Sequence, residues 1–208
     1  MLKIVKWPSS TLKQRSEAVD GSEVRLPSGE LINIQKLADD MREVMTAAGG
    51  IGLSAIQVGI PVALVVTKFE GYEVLVNPLV QTKQVVEKKL GDEGLRAVLP
   101  LGKLVEVEEG CLSLPGFQEV VKRYNKVNVL FETPEQIAER EADQKSPPMF
   151  YANLSSFYQH IGAEAQLVEG LVAQVLQHET EHVKGEFFLD HVKPARRDAI
   201  RAALRRAR

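Results

Sequence analysis

Ile34, Leu37, Ala38, Met41, Val44 and Met45 recur at intervals of three and four, the repeat of a helix with one apolar face. The spacing predicts a helix over residues 33–47, with Asn33 as its cap and Gly49-Gly50 as its stop. A second helix is predicted over 164–184, around an apolar run at 167–176, and Gly185 ends it. A third opens at Pro194 and continues to Arg206. Between the first two helices the pattern changes. Residues 61–68 and 72–80 are β-rich runs around a Glu70-Gly71 turn, and 84–90, 95–99, 103–107 and 119–132 continue the series. No helix separates these runs, so antiparallel sheet is expected, within an α+β fold. Residues 133–146 are polar and acidic, and 149–165 carry aromatic residues on either a short helix or an ordered loop.

Composition changes this picture little. The 208 residues are 44% hydrophobic and 26% charged, ordinary for a soluble globular chain. One domain over 1–208 is expected, without repeats or a long linker. No apolar run approaches the ~20 residues of a membrane span, and the charged, short apolar start at Met1-Leu2-Lys3-Ile4-Val5-Lys6 does not read as a signal peptide. The single cysteine, Cys111, excludes an intrachain disulfide and suits a reducing, cytoplasmic setting. Charge is uneven. Residues 193–208 hold seven basic residues and one acidic, and the rest hold 19 basic and 27 acidic, a net of −8. A basic C-terminal helix is either a solvated face or a contact for an acidic partner.

The candidate chemistry begins in the second helix, at Gln177-His178-Glu179-Thr180-Glu181-His182. Histidines four apart lie one helical turn, about 5.4 Å, from each other on one face, so both imidazoles can reach one metal ion. Glu179, beside the first, can hold a water and take its proton. A hydrolytic site of this kind needs a third protein ligand. His160, His191, a carboxylate and Cys111 are the candidates. A thiolate is a strong ligand for soft and borderline metals, although a lone cysteine is more often a small buried hydrophobe. Upstream, the glycines at 49, 50, 52 and 59 lack the Gly-Lys-Ser/Thr ending of a phosphate loop. They suggest backbone that must approach a ligand or another strand closely. Gln57, polar in an apolar setting, is either a surface amide or a donor facing a site.

Three segments together, Gly50-Ile51-Gly52-Leu53-Ser54-Ala55-Ile56-Gln57, Glu109-Gly110-Cys111-Leu112-Ser113 and Gln177 to His182, resemble the three motifs of peptide deformylases in order and spacing. The opening Ile4-Val5-Lys6-Trp7-Pro8, Val76-Asn77-Pro78 and the stretch from His182 to Asp190 are similar to that family as well. The resemblance implies antiparallel sheets around a central helix bearing the histidines, with helices toward both termini. It implies Fe²⁺ held by Cys111, His178 and His182, with Zn²⁺, Ni²⁺ or Co²⁺ as substitutes. It also implies removal of formyl from the first methionine of new polypeptides, with Glu179 as general base and Gln57 and the Leu112 N–H as oxyanion donors. The peptide would lie beside Gly50, Ile51 and Gly52, and its methionine among Ile51, Glu109, Leu171, Val175 and His178. The basic C-terminal helix suggests, in addition, docking near the ribosomal exit, where formyl peptides emerge. Departures from the family are Glu181 in place of Asp, Ser54 where Ala is common, polar Gln174 at the pocket wall, and insertions near 78–108 and 133–166.

Overall fold

The computed structural model describes residues 2–90, 93–143 and 165–206. Strands β1 (Glu23–Arg25) and β2 (Leu31–Asn33) form a short antiparallel hairpin that leads into helix α1 (Ile34–Ala47). The Asn33 side chain caps α1, accepting from the N–H groups of Gln35 and Lys36. Strand β3 (Gly52–Ser54), a single 3-10 turn at Ala55–Val58, β4 (Leu64–Thr67) and β5 (Val74–Gln81) follow. Then come two ribbons, β6 (Lys83–Leu90) with β7 (Glu93–Pro100), and β8 (Leu104–Cys111) with β9 (Leu114–Tyr124). Strand β10 (Lys126–Glu132), α2 (Pro134–Ala142), β11 (Gln166–Glu169), α3 (Gly170–Val183) and α4 (Pro194–Arg206) complete the order.

The central sheet has the order β11-β10-β5-β4-β3, and every pairing in it is antiparallel. Strands β3 and β4 are buried throughout, because a helix covers each face of the sheet there. Leu64, Val66 and Val76 meet Leu37, Met41 and Met45 of α1, while Val65, Leu75, Val127 and Val129 meet Ala173, Leu176 and Val183 of α3. Adjacent strand residues point to opposite faces, so the two helices divide each strand between them. The α+β architecture with antiparallel sheets is as expected. A third apolar cluster joins Trp7, Leu12, Leu114, Phe187, Phe188 and Ile200, seating α4 against the β8–β9 ribbon and the N-terminal segment.

Three details differ from the expectation. The run 119–132 is two strands, broken at Asn125, whose side-chain oxygen accepts from the Lys103 N–H and whose own N–H donates to the Lys103 carbonyl. The helix predicted from 164 begins only at Gly170. Val168 instead extends the sheet, and Gly170 turns the chain with a positive φ of 66°. The polar stretch after 132 forms α2, through a Thr133–Gln136 capping box, Pro134 at the first turn and a buried Ile137 on the α1 face. Within the two expected insertions, 78–108 contains the β6–β7 ribbon, and α2 opens 133–166. The aromatic stretch at 149–164 lies outside the described residues.

Candidate active site

The last two turns of α3 are buried, which takes His178, Glu179 and His182 out of water. The two imidazoles stand edge to face, with ring centroids 4.9 Å apart. Cys111 ends β8 where the register with β9 slips between Gly110 and Cys111, a bulge that re-aims a side chain. Sγ of Cys111 comes within 3.4 Å of His182 Nε2. One donor atom from each of Cys111, His178 and His182 lies within 4.8 Å of the others. His178 Nδ1 is engaged by Glu109 Oε2 at 3.0 Å, which leaves its Nε2 for the cluster. Of the other ligand candidates, His191 turns to Glu181 at 2.8 Å, and His160 lies outside the described residues.

The residues fit a divalent metal. Burial first, then the charges of His178 and Arg123, push His182 well below its ordinary range, so its imidazole is a neutral donor. Burial lowers His178 too, but its contacts with Cys111 and Glu109 outweigh that and raise it well above the ordinary value. One thiolate and two imidazoles form a donor set for borderline metals such as iron or zinc.

Gln57 is buried beside this cluster. The Ser54 N–H donates to Gln57 Oε1 at 2.8 Å, which turns Nε2 toward Cys111 Sγ and Ser113 Oγ, each 3.3 Å away. Burial raises the Glu179 carboxyl above its ordinary value, with the His178 charge and the Ser54 hydrogen bond opposing it. One cavity of about 570 Å³ adjoins these groups. Gly50, Ile51, Gly52, Gln57, Glu109, Cys111, Leu112, Leu171, Val175, His178 and Glu179 all line it, whereas His182 stands behind the wall. Leu171 is half-exposed and Val175 is buried. The two glycines have distinct reasons. A β-carbon at Gly50 would stand 2.6 Å from Leu112 Cδ1, and one at Gly52 would stand 2.6 Å from Glu179 Oε1.

The sequence model of the family described as Polypeptide deformylase matches residues 1–145, more than two-thirds of the chain. The chain belongs to the polypeptide deformylase family. A peptide deformylase of Thermodesulfovibrio yellowstonii is 32% identical, over 97% of this chain and 94% of that one. The crystal structure of a Legionella pneumophila peptide deformylase shares 27% identity with a TM-score of 0.67, covering 99% of this chain and 94% of that one. A deformylase from a Vibrio parahaemolyticus bacteriophage, solved in complex with actinonin, is 26% identical with a TM-score of 0.57, over 89% of this chain and 99% of that one. The matched residues 1–145 stop short of α3. The deformylase fold of the structural neighbours, which covers nearly the whole chain, takes in that helix as well.

Arg123, beside this candidate site, lies in none of the three motifs. It is 2% exposed and donates from Nε and Nη2 to Glu109 at 2.7 and 2.9 Å, and from Nη1 and Nη2 to Glu181. Glu181 is thus a partly buried supporting carboxylate, held by Arg123. Burial raises Glu109, yet the hydrogen bonds from Arg123 and His178 outweigh this and hold it at about 2. Arg123 lies near the end of β9, and nothing local in the sequence marks partners 14 and 58 positions away. Ser113 and Gln177 lie inside the quoted motifs, but the sequence assigns them no role. The Gln177 amide accepts from the Tyr124 N–H and donates to the Tyr124 and Ala173 carbonyls, pinning α3 to the end of β9.

Proposed function

We propose that this chain removes the formyl group from the N-terminal methionine of new polypeptides and releases formate. The observation that carries this reading is the cluster of Cys111, His178 and His182, with donor atoms within 4.8 Å of one another beside Glu179 and Gln57 on one cavity wall. Cys111, His178 and His182 would hold a divalent metal, Fe²⁺ by the family resemblance with Zn²⁺, Ni²⁺ or Co²⁺ as substitutes, and when bound it supplies Lewis acidity to the formyl oxygen and acidifies water. Glu179 takes one proton from the attacking water as the oxygen bonds to the formyl carbon. The carbon–nitrogen bond then breaks, and Glu179 returns the proton to the leaving amine. Gln57 Nε2 and the Leu112 N–H donate to the developing oxyanion. Losing one such donor costs about 2.7–4 kcal/mol of barrier.

The peptide lies extended beside Gly50, Ile51 and Gly52, adding itself as a strand. Its methionine enters among Ile51, Glu109, Leu171, Val175 and His178. The same cavity takes actinonin, as the phage relative does. One catalytic domain spans 1–208, supported by the N-terminal segment, where Val5 and Trp7 N–H groups bond the carbonyls of Gln57 and Ser113 at 2.7 and 2.8 Å. The reducing setting that a lone cysteine suits favours the cytoplasm, and among the described residues no helix is long and apolar enough to cross a membrane. Exposed Arg205 and Arg206 at the end of α4 suit docking at the ribosome. Unchanged co-sedimentation with ribosomes after Arg205→Glu and Arg206→Glu would remove that partner.

The deciding assay is formate release from formyl-Met-Ala-Ser by protein loaded anaerobically with Fe²⁺ or Co²⁺. Turnover is expected in the wild type and absent in Cys111→Ala together with its bound metal. A wild type that holds metal and releases no formate overturns the reading.

A further inference from the structure

Ser54 ends β3 with no exposed surface, directly under the helix that carries Glu179. Its Oγ lies 2.8 Å from the Glu179 backbone carbonyl oxygen and 2.9 Å from Glu179 Oε2. A buried serine satisfied only by a helix carbonyl would need the first contact and not the second. The second reaches a carboxyl that is itself buried. Among the described residues, no other hydrogen-bond donor reaches that carboxyl. The terminal torsion of a glutamate side chain is broad and two-fold, so a carboxyl without a partner samples many planes. Here the two oxygens have different neighbours. Oε2 meets Ser54, while Oε1 lies over Gly52, where a β-carbon would come within 2.6 Å, on the wall of the cavity.

We infer that Ser54 is a positioning residue for the general base: its hydroxyl holds Oε2 of Glu179 and so turns Oε1 toward the cavity, where the attacking water must stand. This rests on the assignment of Glu179 as that base. The Ser54 backbone N–H meanwhile orients the Gln57 amide at 2.8 Å, so one residue at the end of β3 touches both the base and the oxyanion donor. The N–H survives any substitution except proline, and only the hydroxyl contact depends on this being serine. Ser54 replaces the alanine common in the family, and in this chain the exchange alters the surroundings of the base.

The test is Ser54→Ala, which removes one oxygen and adds no volume. With Fe²⁺-loaded protein and formyl-Met-Ala-Ser, kcat should fall about two- to tenfold, the range of one net hydrogen bond, while KM and metal stoichiometry stay at wild-type values. Glu179→Ala should reduce kcat far more, and adding Ser54→Ala to it should cause no further loss. Three results would overturn the inference: an unchanged kcat in Ser54→Ala, a loss that follows metal content or KM, or a loss of the same size in the Glu179→Ala background. If Glu179→Ala itself retains full kcat, the assignment of the base fails instead, so the two failures are distinct.

Discussion

Arg123 sets the charge balance around the metal-binding cluster. Its guanidinium is buried between the carboxylates of Glu109 and Glu181, and Glu109 in turn orients His178. Replacing it with methionine, which keeps volume but not charge, leaves two largely enclosed carboxylates without their cation. Breaking such a network typically costs about 3–5 kcal/mol, which denaturant unfolding will read directly. Metal affinity should fall about ten- to a hundredfold with it, since groups that orient a ligand matter on that scale. The far end of the network reaches the surface at His191. Its hydrogen bond to Glu181 raises it above its ordinary value against the effect of burial, with the Arg123 charge opposing and that of Glu109 assisting. Glu181 itself is held below its ordinary value despite burial, by His191 and Arg123. A folded-state pKa above the unfolded one gives stability that is full below about 6.5 and is lost as pH rises through the folded value. The melting-temperature gap between wild type and His191→Gln should therefore be larger near about pH 5.5 than near about pH 9. Equal gaps would mean that the pair contributes nothing.

At the scale of elements, β3 and α3 must approach each other unusually closely. Gly52 lets the strand pass Glu179, and a β-carbon there would also stand 2.9 Å from Val175 Cγ1. Overpacking of this kind costs typically 1–3 kcal/mol. Gly52→Ala should fold and melt at a lower temperature, and it should lose at least about tenfold in kcat because displacing the base by a fraction of an ångström spoils its aim. Gly50→Ala meets the flexible end of Leu112 first, at 2.6 Å. Its loss in the same formate assay should be the smaller of the two. An equal or greater loss would show that the peptide, and not Glu179, demands the glycines.

For the whole molecule, a metal held by Cys111, His178 and His182 would tie together parts that are distant in sequence: the end of β8 and the last two turns of α3. Anything that binds the folded chain alone stabilises it, by about 4 kcal/mol when the free ligand stands at a thousand times its dissociation constant. Removing the metal with a chelator should lower the melting temperature, and restoring Fe²⁺ or Zn²⁺ should recover it. Cys111→Ala should melt at one temperature with or without the chelator. A wild-type transition indifferent to chelation would remove the metal from the account of stability.

The sequence by itself determined the first helix, most of the strands and the residues that carry the motif chemistry. The three-and-four spacing of α1, its Asn33 cap and the strand runs were legible because periodicity and capping are local properties. The histidines four apart on one helix were legible for the same reason. Cys111 and Gln57 joined them only through the resemblance of whole motifs, since spacing alone left Cys111 one candidate among several. The hidden parts depend on what lies opposite in space. Residue 168 pairs with Val127 instead of starting a helix because an open edge of β10 is available there. Arg123, Glu181 and Ser54 gained their partners only when β9, β3 and α3 came together, at sequence separations of 58 and 125. Burial and the partners it brings together then decided the chemistry. A carboxyl and an imidazole have ordinary properties in any sequence; in the packed site the loss of water raises Glu179 and lowers His182, while the contacts with Cys111 and Glu109 raise His178 against it.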